Sequence, residues 1–155
     1  MTERLIYLQI ENEDPINIYT AYDFSLISSS NISGFEPKDA FTYEFAEEHG
    51  ERYIPSDKYK AFDYHIELGY FVDRANDCSL PYNNYNVNTF IESLQNKQIT
   101  IYNNLKKNKI VGYLKSVDTT NIERLTNSSL KDLCTFRLVF RVNNPSLCDL
   151  NYVES

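Results

Sequence analysis

Alternation of apolar and polar positions with a period of two runs through most of the chain and predicts strands rather than helices. Phe62, Tyr64, Ile66, Leu68 and Tyr70 form the clearest run, all five falling on one face of a strand. Near the C-terminal end Phe136, Leu138, Phe140 and Val142 repeat the pattern until Pro145 stops the ladder. Phe41, Tyr43 and Phe45 share a face of another strand, and Ile16, Ile18, Phe24 and Leu26 mark a less regular run that ends in SSSNISG. In the first strand Leu5, Tyr7 and Gln9 alternate with Ile6, Leu8 and Ile10, so both sides are nearly apolar, as in a strand that is central or covered at an interface.

Two segments depart from this period. Residues 73–88, DRANDCSLPYNNYNVN, are rich in turn formers and read as a long loop, of a length that is uncommon and often functional. After it, NTFIESLQNK carries Phe90, Ile91 and Leu94 at helical spacing behind Asn88, a favoured N-cap residue, and reads as one short amphipathic helix. QITIYNN and KIVGYLKSVD then form a hairpin whose tip is LKKNK, and TTNIERLTNSS reads as a polar connection to the last strand. About seven strands and one helix predict a mainly β fold, an antiparallel β-sandwich or barrel with one flanking α-helix. With no internal repeat or interdomain linker, residues 1–155 are expected to make a single β-sandwich domain, large enough to bury a core unaided.

Composition sharpens this picture in three places. Much of the apolar content is Tyr and Phe, which suit pleated, half-buried surfaces. The three cysteines, Cys78, Cys134 and Cys148, form no CxxC pair, and their odd number fits free thiols in a reducing compartment. The opening MTERLIYLQIENEDP lacks an apolar run of signal-peptide length, and no stretch approaches the roughly 20 apolar residues of a membrane span, so a cytoplasmic, soluble chain with no membrane partner is expected. A formal net charge of −7 argues against specific nucleic-acid binding, which draws on Lys and Arg to displace counterions.

Candidate chemistry gathers around the two histidines. On a strand over 62–70, Asp63, His65 and Glu67 all point away from the aromatic face, each about 6.7 Å from the next, and are the candidate metal ligands. A one-sided strand alternates in the same way without any metal, and the expectation is a polar strand face with no bound metal or cofactor. His49, preceded by Glu47 and Glu48, precedes Gly50 at a turn, and no Ser or Cys nucleophile stands in a recognisable motif with them. No P-loop, GxGxxG, HExxH or GxSxG sequence is present, so no catalytic residue is assigned and an enzyme built around His65 ranks third among the functions.

Taken in order, INIYTAYDFSLISSS, KDAFTYEFAEEHGERYIP, KAFDYHIELGYFVD, NTFIESLQN, the hairpin from ITIYNN to KIVGYLKSVD and TFRLVFRVNNP make a series that resembles the tail-tube and distal-tail proteins of long-tailed phages and prophages. That resemblance implies a small β-sandwich with a flanking helix, a long hairpin and extended loops. It implies a non-catalytic virion structural protein, made in the host cytoplasm and carried in the tail, that forms a homo-oligomer, a hexameric ring around a DNA channel, against other tail proteins. An acidic balance suits a channel wall that must not hold DNA. Candidate oligomer-interface residues are Leu5 and Tyr7 on the first strand and Tyr82 and Tyr85 in the long loop. The alternative is a stand-alone β-sandwich module that binds a ligand or a protein through that loop.

Overall fold

A computed structural model describes residues 6–38, 41–43, 52–54, 58–73, 85–124 and 131–152. The chain is mainly β, as the alternation predicts, and its main element is a seven-stranded antiparallel sheet. In chain order the strands are β1 (Ile6–Ile10), β2 (Ile16–Asn17), β3 (Ser25–Ser29), β4 (Pro37–Lys38), β5 (Phe41–Tyr43), β6 (Arg52–Ile54), β7 (Lys58–Tyr59), β8 (Phe62–Asp73), β9 (Gln98–Asn103), β10 (Asn108–Arg124) and β11 (Lys131–Val142). The large sheet runs β2-β1-β9-β10-β11-β8-β3, while β4 pairs with β7 and β5 with β6 in two small ribbons. Two α-helices, α1 (Ile18–Tyr22) and α2 (Tyr85–Leu94), and a 3-10 turn near the end of the described residues complete the described elements.

One face of the sheet makes the core. Tyr64, Ile66 and Leu68 of β8 are fully buried against Phe136, Leu138 and Phe140 of β11, their register neighbours Leu68↔Phe136, Ile66↔Leu138 and Tyr64↔Phe140 lying side by side. Ile6, Leu8 and Ile10 of β1 and Ile99 and Ile101 of β9 continue the same face. The first strand is thus buried on one face and half-buried on the other at Tyr7 and Gln9, and it lies one place in from the sheet edge, shielded there by the two residues of β2. Leu5 lies outside the described residues.

Helix α2 lays Val87, Phe90 and Leu94 into this core, positions three and four apart that share one stripe. It begins at Tyr85, so Asn88 falls inside its first turn and does not cap it. Helix α1 has its cap in Asn17, whose side-chain oxygen accepts the Tyr19 N–H at 3.0 Å, and it ends at Asp23 in the left-handed region, φ 64°. Directly after that turn Phe24 enters the core, where its ring meets Tyr22, Phe90, Tyr70 and Phe136 at centroid distances of 5.2 to 5.9 Å.

The β9–β10 hairpin lies where LKKNK predicts it, its turn closed by Lys107 at φ 59° and by the Asn103 side-chain oxygen accepting the Lys106 N–H at 3.1 Å. The polar connection expected over TTNIERLTNSS is shorter than its composition implies, because β10 continues through Arg124 and β11 begins at Lys131. Two register shifts, between Leu114 and Ser116 and between Thr119 and Ile122, take up extra residues there as β-bulges, which is why the apolar–polar alternation fades along this strand. After β11 a 3-10 turn, Pro145–Leu147, returns the chain to the start of β10, where Lys109 and Asp149 exchange two backbone bonds of 2.7 and 2.8 Å.

Candidate functional site

The residues with most chemical potential lie on the outer face of β8 and where β3 meets the hairpin tip. The sheet curls far enough for β3, one of its edges, to reach β9 four places away in the strand order. Backbone bonds do not join the two strands; side chains do. Asn103, fully buried at the end of β9, donates from its amide nitrogen to Ser29 Oγ at 3.0 Å and to the Tyr64 hydroxyl at 3.1 Å. Lys106, in the hairpin turn, sets its ammonium on the carbonyl oxygens of Ser29, at 2.5 Å, and Ser30, at 3.4 Å. Burial pushes the Tyr64 hydroxyl above the usual tyrosine pKa, with the hydrogen bonds of Asn103 and Ser29 opposing it.

Ser30 extends this seam to His65. Its N–H donates to the His65 carbonyl at 2.9 Å, and its Oγ accepts the His65 backbone N–H at 3.0 Å, so the hydroxyl stands in for a ladder carbonyl where β3 leaves the sheet. The same oxygen lies 2.9 Å from His65 Nδ1. One side chain therefore satisfies the backbone of β8 and orients the imidazole.

Asp63, His65 and Glu67 do share the outer face of β8, and each meets a different neighbour. Asp63 receives Lys115 at 2.9 Å and Arg141 at 3.0 Å, and these two hydrogen-bonded cations, Lys115 foremost, hold its carboxyl below the usual aspartate range. Glu67 accepts from Ser28 at 3.3 Å, and His65 faces Ser30. Among the described residues no group of three or more His, Cys, Asp or Glu side chains is arranged to hold a metal ion. His49, Glu47, Glu48 and Tyr82 lie outside the described residues, and Tyr85 is the first residue of α2.

Sequence reasoning missed two features of this outer face. The first is an apolar patch: Ile27 is 46% and Phe71 59% exposed, with half-buried Leu133 opposite Phe71 in register. Gly69 lies beneath it, and a Cβ there would fall 2.8 Å from Ile27 Cδ1 and 3.3 Å from Leu133 Cδ1, so the two side chains converge over the glycine. Ile27 follows inward-facing Leu26 and so faces outward by the strand period, and the bulge between Leu26 and Ser28 turns Ser28 to that outer face as well, which breaks the alternation that would have marked the strand. The second is an open cleft of about 350 Å³ lined by Ser30–Glu36 and Lys60–Asp63, its rim crossed by the Lys60–Glu36 ion pair at 2.8 Å.

No family model, curated protein or solved structure matches this chain. Among the described residues no helix is long and apolar enough to cross a membrane.

Proposed function

We propose that the chain is a non-catalytic structural subunit that assembles with copies of itself, in the manner of the tail-tube and distal-tail proteins of phages and prophages. The exposed patch of Ile27, Phe71 and Leu133 carries this reading. Contiguous exposed apolar surface with a polar rim marks contact sites on soluble domains. The rim holds both signs of charge, with Glu67 and Arg137 cross-strand neighbours on β8 and β11, so a second copy can meet it with opposite charges. The polar groups of β8 lend support from the other direction, since each is engaged with its own partner instead of converging on a shared point.

The tail-protein form of the reading rests on the resemblance in the order of elements: a β core, a flanking helix, a long hairpin followed by a last strand, and extended loops. In that form subunits join head to tail and close into a hexameric ring, with other tail proteins stacked on its faces. Sedimentation and light scattering over a concentration series, with electron microscopy of any large species, test the proposal. Self-association that Phe71→Glu abolishes is the expected result. A chain that stays monomeric to about 1 mM, a concentration at which even contacts worth only about 4 kcal/mol are populated, would overturn it. The 350 Å³ cleft favours a second reading, a binding module for a small polar ligand.

A further inference from the structure

The outer edge of β10 between its two bulges is, we infer, a docking site for a short extended strand of another protein. β9 accompanies β10 only as far as the pair Gln98↔Tyr113. Beyond it β10 runs on to Arg124 with β11 on one side, and among the described residues nothing pairs with its other side. From Leu114 to Asp118 every described bond goes to β11 or, through the Lys115 side chain, to Asp63. A row of backbone N–H and C=O groups left open in this way is a template for strand addition.

The bulges define how much of that row is usable. Regular pairing with β11 holds over Ser116↔Val139, Val117↔Leu138, Asp118↔Arg137 and Thr119↔Phe136, and it is interrupted on both sides. A bulge bends the strand and ends pairing locally, so the window accepts about four residues and resists the open-ended addition that leads to aggregation.

The window is poorly matched to a second copy of itself and to the two edge strands of the large sheet. Directly opposed residues of an antiparallel pair point to the same face of the sheet. A two-fold pairing of the whole window would oppose Val117, half-buried against the core, to Asp118, exposed on the outer face. Self-pairing is then limited to three residues centred on Val117. The edge of β3 is itself broken by the bulge at Ile27, and β2 is two residues long. The occupant that fits is a segment of a different polypeptide: apolar opposite Val117, polar opposite Ser116 and basic opposite Asp118, whose carboxylate has only a 3.5 Å contact with Arg137 and is 55% exposed. This site is independent of the proposed self-assembly, which uses the patch around Phe71.

The probe is a capped hexapeptide, Thr-Lys-Val-Thr-Val-Thr, titrated into the isotope-labelled full chain and followed by amide NMR. Shifts centred on Ser116–Thr119 and saturating with a Kd of roughly millimolar order are expected, with no response to a peptide of the same composition in which the alternation is scrambled. Asp118→Lys should weaken binding about fivefold, the upper range for one cross-strand charge pair, and a peptide with Glu in place of Lys should recover it. Val117→Pro should abolish binding, and Asp118→Lys serves alone where the proline variant does not fold. No shift at this edge up to about 5 mM peptide, shifts confined to Ile27 and Phe71, or the same edge shifts produced by raising protein concentration alone would each overturn the inference.

Discussion

The amide of Asn103 donates to the hydroxyl of Tyr64 at 3.1 Å, joining the end of β9 to the start of β8 inside a core where neither residue meets solvent. Because the same amide also holds Ser29, one side chain closes the seam between β3 and β9. Asn103→Leu would leave the Tyr64 and Ser29 hydroxyls buried without that donor and free the turn at Lys106. A loss of about 2–4 kcal/mol in urea unfolding is expected, against about 1–2 kcal/mol for Tyr64→Phe, which removes the phenol's bonds to Asn103 and Ser29 but leaves the Asn103 amide its bond to Ser29.

Alkaline pH should loosen the same seam. The Tyr64 hydroxyl has its pKa raised by burial, so folding favours the neutral phenol. Its contribution is fully present below the unfolded tyrosine value of about 10 and is lost as pH rises from there through the higher folded value. Stability measured between about pH 9 and 11 should therefore fall, and Tyr64→Phe should flatten part of that slope.

Asp63 should act in the opposite direction. Lys115 and Arg141 lower its pKa, so its contribution is present above the unfolded aspartate value, about 3.9, and disappears as pH falls through the lower folded value. The carboxylate is exposed, and the expected signature is a small acid-side stability loss that Asp63→Asn removes and that weakens in salt. Elemental analysis of the purified protein should find no stoichiometric transition metal, and His65→Ala should leave that result unchanged.

In the core, Leu68→Ala and Leu138→Ala each remove a fully buried side chain between β8 and β11 and should cost about 2–5 kcal/mol in chemical unfolding. A cost below about 1 kcal/mol at both would mean that neighbouring side chains refill the space.

A different kind of sensitivity is expected at Gly112. A Cβ there would lie 2.6 Å from the Arg141 carbonyl oxygen, a backbone atom that cannot swing aside. Gly112→Ala should cost about 1–3 kcal/mol by forcing β10 away from β11, although alanine suits a strand no worse than glycine.

What the sequence made legible follows from how each feature is encoded. The period-two runs at 62–70 and 136–142 record burial directly, and they located β8 and β11 and their inward faces. Phe90 and Leu94 located α2, but its start lay three residues before the cap that Asn88 implied, since an Asn carries the same capping chemistry wherever it stands. The run through TTNIER hid a strand because two bulges reset the alternation. The Asn103–Tyr64–Ser29 seam was illegible for a different reason: it joins residues 39 and 74 positions apart through side chains whose types are unremarkable one by one. Likewise Asp63, His65 and Glu67 could be assigned to one face, but only the neighbours Lys115, Arg141, Ser30 and Ser28 show what each of them meets there.

The pairing of β1 with β9, from Ile6↔Asn103 to Ile10↔Ile99, bears on how the molecule comes into being. During synthesis the first strand emerges with Ile6, Leu8 and Ile10 ready for a core, yet the neighbour it needs does not exist until the ribosome has passed residue 103. Closing so long a loop before any contact repays it is slow. Until then β1 has only its two-residue ribbon with β2 and the short α1 beside it, and it is in that interval, before the sheet has its middle, that the nascent chain most needs protection from other chains.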